Sequence, residues 1–148
     1  GILKQTFPLI DAATGRDGAE TVWLIELKDG RILTWGENNK FHLWRLPALD
    51  DSILSMPIDI YPIALLEDDS DSYFMNGVIE LPDGRLVTCG THNTIHVWQL
   101  SDDIQSRYVI RPIKRLVGHV GEINHLVLLC DGSFVSCGQD GMMCLWRL

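Results

Sequence analysis

His119, Ser136 and Asp140 bring the three side-chain types of a hydrolytic triad into one short stretch of this chain. A hydroxyl becomes a nucleophile when an imidazole takes its proton and a carboxylate holds the imidazole in place. The framing that such chemistry uses is missing. No GxSxG elbow surrounds Ser136, and neither HExxH nor a phosphate-binding glycine loop occurs. The four cysteines, Cys89, Cys130, Cys137 and Cys144, lie 41, 7 and 7 residues apart, which matches no compact ligand pair. Cys89 and Cys137 take a position that Trp35 fills elsewhere in the chain, so they read as buried, reduced thiols packing apolar surface in a cytoplasmic protein. His42 and His96 also correspond, and Cys144 replaces them, which fits packing between sheets rather than metal binding. No catalytic residue, metal site or cofactor is expected.

Bulk properties narrow the partners. The 148 residues are 46% hydrophobic and 22% charged, the composition of one globular domain. A formal charge of −8 excludes nucleic acid or an anionic membrane as the main partner, since both require a basic patch. No apolar run approaches the roughly 20 residues of a membrane span.

The elements that position these side chains recur. "LKDGRILTWGENNKFHLWRL" starts at Leu27, "LPDGRLVTCGTHNTIHVWQL" at Leu81 and "LCDGSFVSCGQDGMMCLWRL" at Leu129. Trp44, Trp98 and Trp146 stand 54 and 48 residues apart, as do the three Asp-Gly pairs, and a period of this size marks a repeat architecture. Each unit reads as an apolar strand a ("TVWLIEL", "MNGVIEL", "INHLVLL"), an Asp-Gly turn and a strand b ("RILTW", "RLVTC", "SFVSC"). A polar turn and a strand c ("FHLW", "IHVW", "MCLW") follow. Asp and Gly both tolerate the positive φ that tight hairpin turns demand. Alternation in strand c puts Phe41 and Leu43 on one face and His42 and Trp44 on the other. "PIDIYPIALL" and "RYVIRPIKRL" each supply a proline-bearing outer strand d. Four antiparallel strands per unit make the blade of a β-propeller.

Residues Leu116 to Trp146 resemble a full blade of the WD-repeat family, with Gly118-His119, the Asp131-Gly132 turn, Ser136, Asp140 and Trp146. The resemblance implies a structural hydrogen-bonded tetrad of His119, Ser136, Asp140 and Trp146, which accounts for the apparent triad without catalysis. Partial tetrads follow at Thr34 and Trp44, with Asp17 and Asn38 at the other two positions. Thr88 and Trp98 match in the second unit, with Asp71 and His92. The Trp-Asp dipeptide of the family is replaced by Trp44-Arg45, Trp98-Gln99 and Trp146-Arg147. The expected fold is all-β: a propeller built of three four-stranded antiparallel blades in a single unit over 1–148, with blade cores at 21–46, 75–100 and 123–148.

The same resemblance implies a partner-binding face at Glu20, Val22 and Glu37, at Phe74, Asn76 and Thr91, and at Glu122, Asn124 and Gln139. This set is acidic with one aromatic anchor, which suits a protein or peptide partner. The acidic run Glu67–Ser72 points to a basic one. The expected function is a non-catalytic interaction module or scaffold. The alternative is a regulatory or substrate-recognition propeller within a larger multidomain enzyme. Three blades do not close a ring, and blade three as read lacks its strand d. A homodimer of six blades is therefore expected, with Ile2–Phe7 of each copy completing the last blade of the other; the competing expectation is a fragment of a longer propeller.

Overall fold

The computed structural model describes residues 23–36, 41–47, 62–68, 74–101 and 108–148. Among them are twelve strands and no helix. The three recurring units give three antiparallel hairpin sets, each with its a, b and c strands in spatial order.

The first compact unit carries β1 (Trp23–Glu26), β2 (Ile32–Trp35) and β3 (Phe41–Trp44), followed by the start of β4 (Ala64–Leu66). β1 pairs with β2 through Leu24↔Thr34 and Ile25↔Leu33, and β2 with β3 through Leu33↔Leu43. The Ile63 amide donates to the Leu43 carbonyl at 2.7 Å, which sets the fourth strand beside β3. All four residues of β3 are buried, with His42 and Trp44 in ring contact at 5.8 Å as the alternation requires.

The second unit holds two blades. Blade two is β5 (Met75–Glu80), β6 (Leu86–Gly90), β7 (Thr94–Trp98) and β9 (Lys114–Val117), in that order. Blade three is β10 (Ile123–Leu128), β11 (Phe134–Gly138) and β12 (Met143–Trp146). β10 lies against β5 and β6. Between the blades a core forms from Val87, Cys89, Ile95 and Val97 on one side and Ile123 and Phe134 on the other, with Leu126, Leu128 and Trp146 packed onto it. Each such side chain removed from water contributes about 1.5–3 kcal/mol. This layer holds the two blades together.

Two expectations are corrected. "RYVIRPIKRL" is two strands rather than one: β8 (Tyr108–Ile110) precedes Pro112, and β9 follows it. Pro112 has no N–H to offer a ladder, so the pairing changes there. β9 joins β7 as strand d of blade two, whereas the Ile110 carbonyl accepts from the Glu67 amide at 3.0 Å, setting β8 beside β4. Blade three has three strands among the described residues, the a, b and c strands read for it in the sequence, and blade two has four. The cysteines are not uniformly buried: Cys89 is, but Cys144 is half-buried and Cys130 and Cys137 are exposed. Cys130 sits in a turn, and Cys137 points from β11 to the side of blade three that no described sheet covers. The closing strand expected at residues 2–7 lies outside the described residues.

The Asp-Gly turns are built alike in all three blades, with a division of labour. Gly30, Gly84 and Gly132 take φ of 83°, 87° and 83°, the left-handed region that glycine enters freely. Each closes a three-residue hairpin loop, as in Gly84 N donating to Leu81 O at 3.0 Å and Leu81 N to Arg85 O at 2.8 Å. The aspartate acts through its side chain. Asp29, Asp83 and Asp131 accept the amides of Arg31, Arg85 and Ser133 at 3.0, 3.1 and 3.0 Å.

Candidate functional site

Blade three carries the polar network nearest to a catalytic constellation. β11 supplies Ser136, β12 supplies Trp146, the turn between them supplies Asp140, and His119 arrives from the loop after β9. The Trp146 indole donates to Ser136 Oγ at 2.7 Å. Ser136 Oγ lies 2.7 Å from His119 Nε2, and His119 Nδ1 lies 2.8 Å from Asp140 Oδ2. The proton placement that satisfies every group has Ser136 donating to Nε2 and Nδ1–H donating to Asp140. Asp140 also accepts the amides of Val120 and Met142, both at 3.0 Å, which fixes the loop before β10 to the turn after β11. Burial raises the Asp140 carboxyl, but those two amides and His119 outweigh it and hold it below the ordinary 3.8.

The connectivity is that of a triad, but the access is not. Ser136 is 0% exposed and already accepts the indole proton, so no substrate carbonyl reaches its oxygen. Gly118 explains the Gly-His pair: a Cβ there would stand 2.8 Å from the Trp146 ring. The backbone just before His119 is thus packed against the indole.

The other blades keep the inner half of this network. Trp98 donates to Thr88 Oγ1 at 2.9 Å, and Trp44 to Thr34 Oγ1 at 2.8 Å. Asp17, Asn38 and Asp71 lie outside the described residues, and His92 is half-buried. Blade two has instead a cluster that sequence reading missed. Asp68 is buried, joined to the Arg115 guanidinium from β9, with its other oxygen 3.3 Å from His96 Nε2 on β7. Burial lowers the His96 pKa; Asp68 opposes this, and Arg115 and His92 reinforce it. Glu67 stands 3.8 Å from Arg111. The first two carboxylates of the acidic run therefore have arginine partners within the chain. Asp69, Asp71 and the serines of that run lie outside the described residues. The signal for Asp68 was available only as an His-x-Trp strand beside an Arg-bearing strand d.

At the end of the sheets where strands a begin, the structure gathers several of the expected partner contacts. Asn76 and Asn124 both sit at register shifts in strand a, where a bulge re-aims the side chain. Asn76 donates across to blade three, to Glu122 Oε1 at 2.8 Å and the Ile123 carbonyl at 3.0 Å. Gln139 Nε2 donates to Glu122 Oε2 at 2.9 Å. The Glu122 carboxylate is thereby held between two amides from two blades. Thr91 is spent on the scaffold, its Oγ1 accepting the Phe74 amide at 3.1 Å and its own amide donating to Phe74 O at 3.0 Å. Phe74, Val120 and Met142 are exposed large apolar side chains along the same rim. Glu20, Val22 and Glu37 lie outside the described residues.

Comparison with known proteins agrees with this geometry. The family described as WD domain, G-beta repeat matches residues 110–147, the span of β9 and blade three. The protein SEH1 of Arabidopsis thaliana is 32% identical over 66 residues, 43% of this chain and 20% of that protein. Two solved structures share the fold. One is a humanized mutant of the Chaetomium thermophilum Polycomb Repressive Complex 2 bound to the inhibitor GSK126, at TM-score 0.65 and 16% identity, covering 86% of this chain and 28% of that one. The other is the WD40 beta propeller domain of Doa1, at TM-score 0.57 and 14% identity, covering 84% and 36%. The chain spans a fifth of the length of the curated relative and about a third of the solved chains.

Proposed function

We propose that this chain, whose residues 110–147 match the WD-repeat family, is a non-catalytic protein-interaction module that binds a peptide or protein segment on the rim where strands a begin. The observation that carries the reading is Phe74, an aromatic ring 47% exposed, two residues from the Asn76–Glu122–Gln139 network. A rigid aromatic beside an oriented carboxylate is the pairing that anchors one apolar and one basic side chain of a partner. Val120 and Met142 extend the apolar part of that rim. The expected ligand is a segment with an apolar residue flanked by lysine or arginine, consistent with the net charge of −8.

A displayed random-peptide library selected on the purified chain tests this. Recovered peptides should share an apolar residue next to a basic one, and calorimetry should give at least tenfold weaker binding for Phe74→Ala and for Glu122→Gln. Selection of acidic peptides, or binding indifferent to both substitutions, would sink the proposal.

A further inference from the structure

We infer that the Glu122 carboxylate is set to read arginine in preference to lysine, with Asn76 and Gln139 as the residues that position it. This rests on the rim reading above and narrows its basic residue to one side chain. The site lies on the seam between blades two and three, where Asn76 of β5 reaches across to blade three, and it owes nothing to either outer sheet face. A glutamate carboxylate that turns about its last bond meets a cation from many directions. Glu122 is held. Asn76 Nδ2 donates to Oε1 at 2.8 Å and Gln139 Nε2 donates to Oε2 at 2.9 Å, so each oxygen is tied by a different side chain. Asn76 is fixed in turn, because the same amide nitrogen also donates to the Ile123 carbonyl at 3.0 Å. Both oxygens facing that nitrogen can only accept, which settles the orientation of the amide. Beneath them the Gln139 backbone amide donates to the Glu122 carbonyl at 2.8 Å. The plane of the carboxylate is therefore set before a ligand arrives.

A held carboxylate distinguishes the two cations. Each oxygen has two lone pairs and gives one to an amide, which leaves one acceptor on each oxygen. A guanidinium is a planar fork whose parallel N–H bonds match the two oxygens of one carboxylate, so its binding depends on mutual orientation. Fixing the plane beforehand removes the ordering cost of that match. A lysine ammonium is a point charge with rotatable donors, and it gains little from a carboxylate whose plane is fixed. The two amides also draw on the negative charge of the oxygens, a loss that two parallel hydrogen bonds offset better than one. Their neutrality matters as much as their geometry. Glu67 and Asp68 are paired with arginines of this chain, whereas the side chains that hold Glu122 carry no charge and leave its own to be matched by a ligand.

Paired peptides test this on the full chain. Peptides selected from the displayed library are resynthesised with arginine or with lysine at the basic position and titrated by calorimetry. The arginine form should bind about tenfold more tightly. Gln139→Met keeps the length of an exposed side chain and removes its donor. In that variant the ratio should fall below about threefold, chiefly because the arginine form weakens. Glu122→Asp keeps the charge but withdraws it from both amides, and should lower the ratio in the same way. Equal affinity for the two forms, each lost in Glu122→Gln, overturns the arginine preference and leaves the rim reading standing. A preference that persists unchanged in Gln139→Met and Glu122→Asp overturns the inference as well, because the held carboxylate is then not its source. Selection that yields no peptide sensitive to Glu122→Gln overturns both readings.

Discussion

A buried hydroxyl decides how each blade tryptophan is held. Trp98 is 0% exposed, and its indole proton has Thr88 Oγ1 as its partner. Thr88→Val keeps the shape and removes the acceptor, so it should cost about 1–3 kcal/mol in urea unfolding, while Thr88→Ser should recover most of the loss. Asp140 makes a pH-dependent prediction. Its folded carboxyl titrates below the ordinary 3.8, so its contribution is complete above that value and disappears as pH falls through the lowered one. The stability gap between the unmodified chain and Asp140→Asn should therefore hold at neutral pH and shrink in acid. The members of the blade-three network were legible because residue type and repeat position coincide. Asp68 was not, because a carboxylate in "EDDSDS" reads as a solvated charge. Only the fold brings it to Arg115, 47 residues away.

Strands meet backbone to backbone at the end of strand b in blade three, and that contact explains Gly138. A Cβ on Gly138 would lie 2.4 Å from the Glu122 carbonyl, the same carbonyl that accepts the Gln139 amide at 2.8 Å. Gly138→Ala must move backbone and should cost about 1–3 kcal/mol, whereas an alanine at exposed Gln139 should be nearly neutral in thermal melts. The β7–β9 pair gives the second element-level expectation. His96 is buried between Asp68, Arg115 and His92, and its folded pKa lies below the ordinary 6.5. Below that value the unfolded chain binds a proton that the folded chain refuses, so stability falls with acidification until the lowered pKa is passed. Urea midpoints at about pH 7.5 and about pH 5.5 should differ less for His96→Asn than for the unmodified chain. Strands a, b and c were readable to within a residue or two from alternation and turn residues. The division at Pro112 was not, since one apolar run serves two edges and the sequence does not say which.

At the scale of the molecule, 20 acidic residues outnumber 12 basic ones, and the arginines on Glu67 and Asp68 reduce that excess locally. Binding of a basic peptide at the rim should weaken steadily with added salt, because the pairs involved are partly exposed, and a salt-independent affinity would mean the apolar contacts dominate. The repeat made the architecture legible, since every period returns the same turn and the same tryptophan. The partner-facing roles were less so. Asn76 and Thr91 sit at expected contact positions yet spend their hydrogen bonds on the scaffold, a distinction that needs the bulge and the neighbouring blade to be seen. One feature of that rim reaches further. Its geometry is clamped by main-chain bonds, Thr91 N to Phe74 O and Gln139 N to Glu122 O, which are indifferent to the side chains they carry. A phenylalanine and a glutamate already occupy the same clamp in neighbouring blades. On the proposed function, recognition can therefore drift from one ligand chemistry to another by substitution at these posts while the fold is inherited unchanged, which makes the rim a readily evolvable part of the chain.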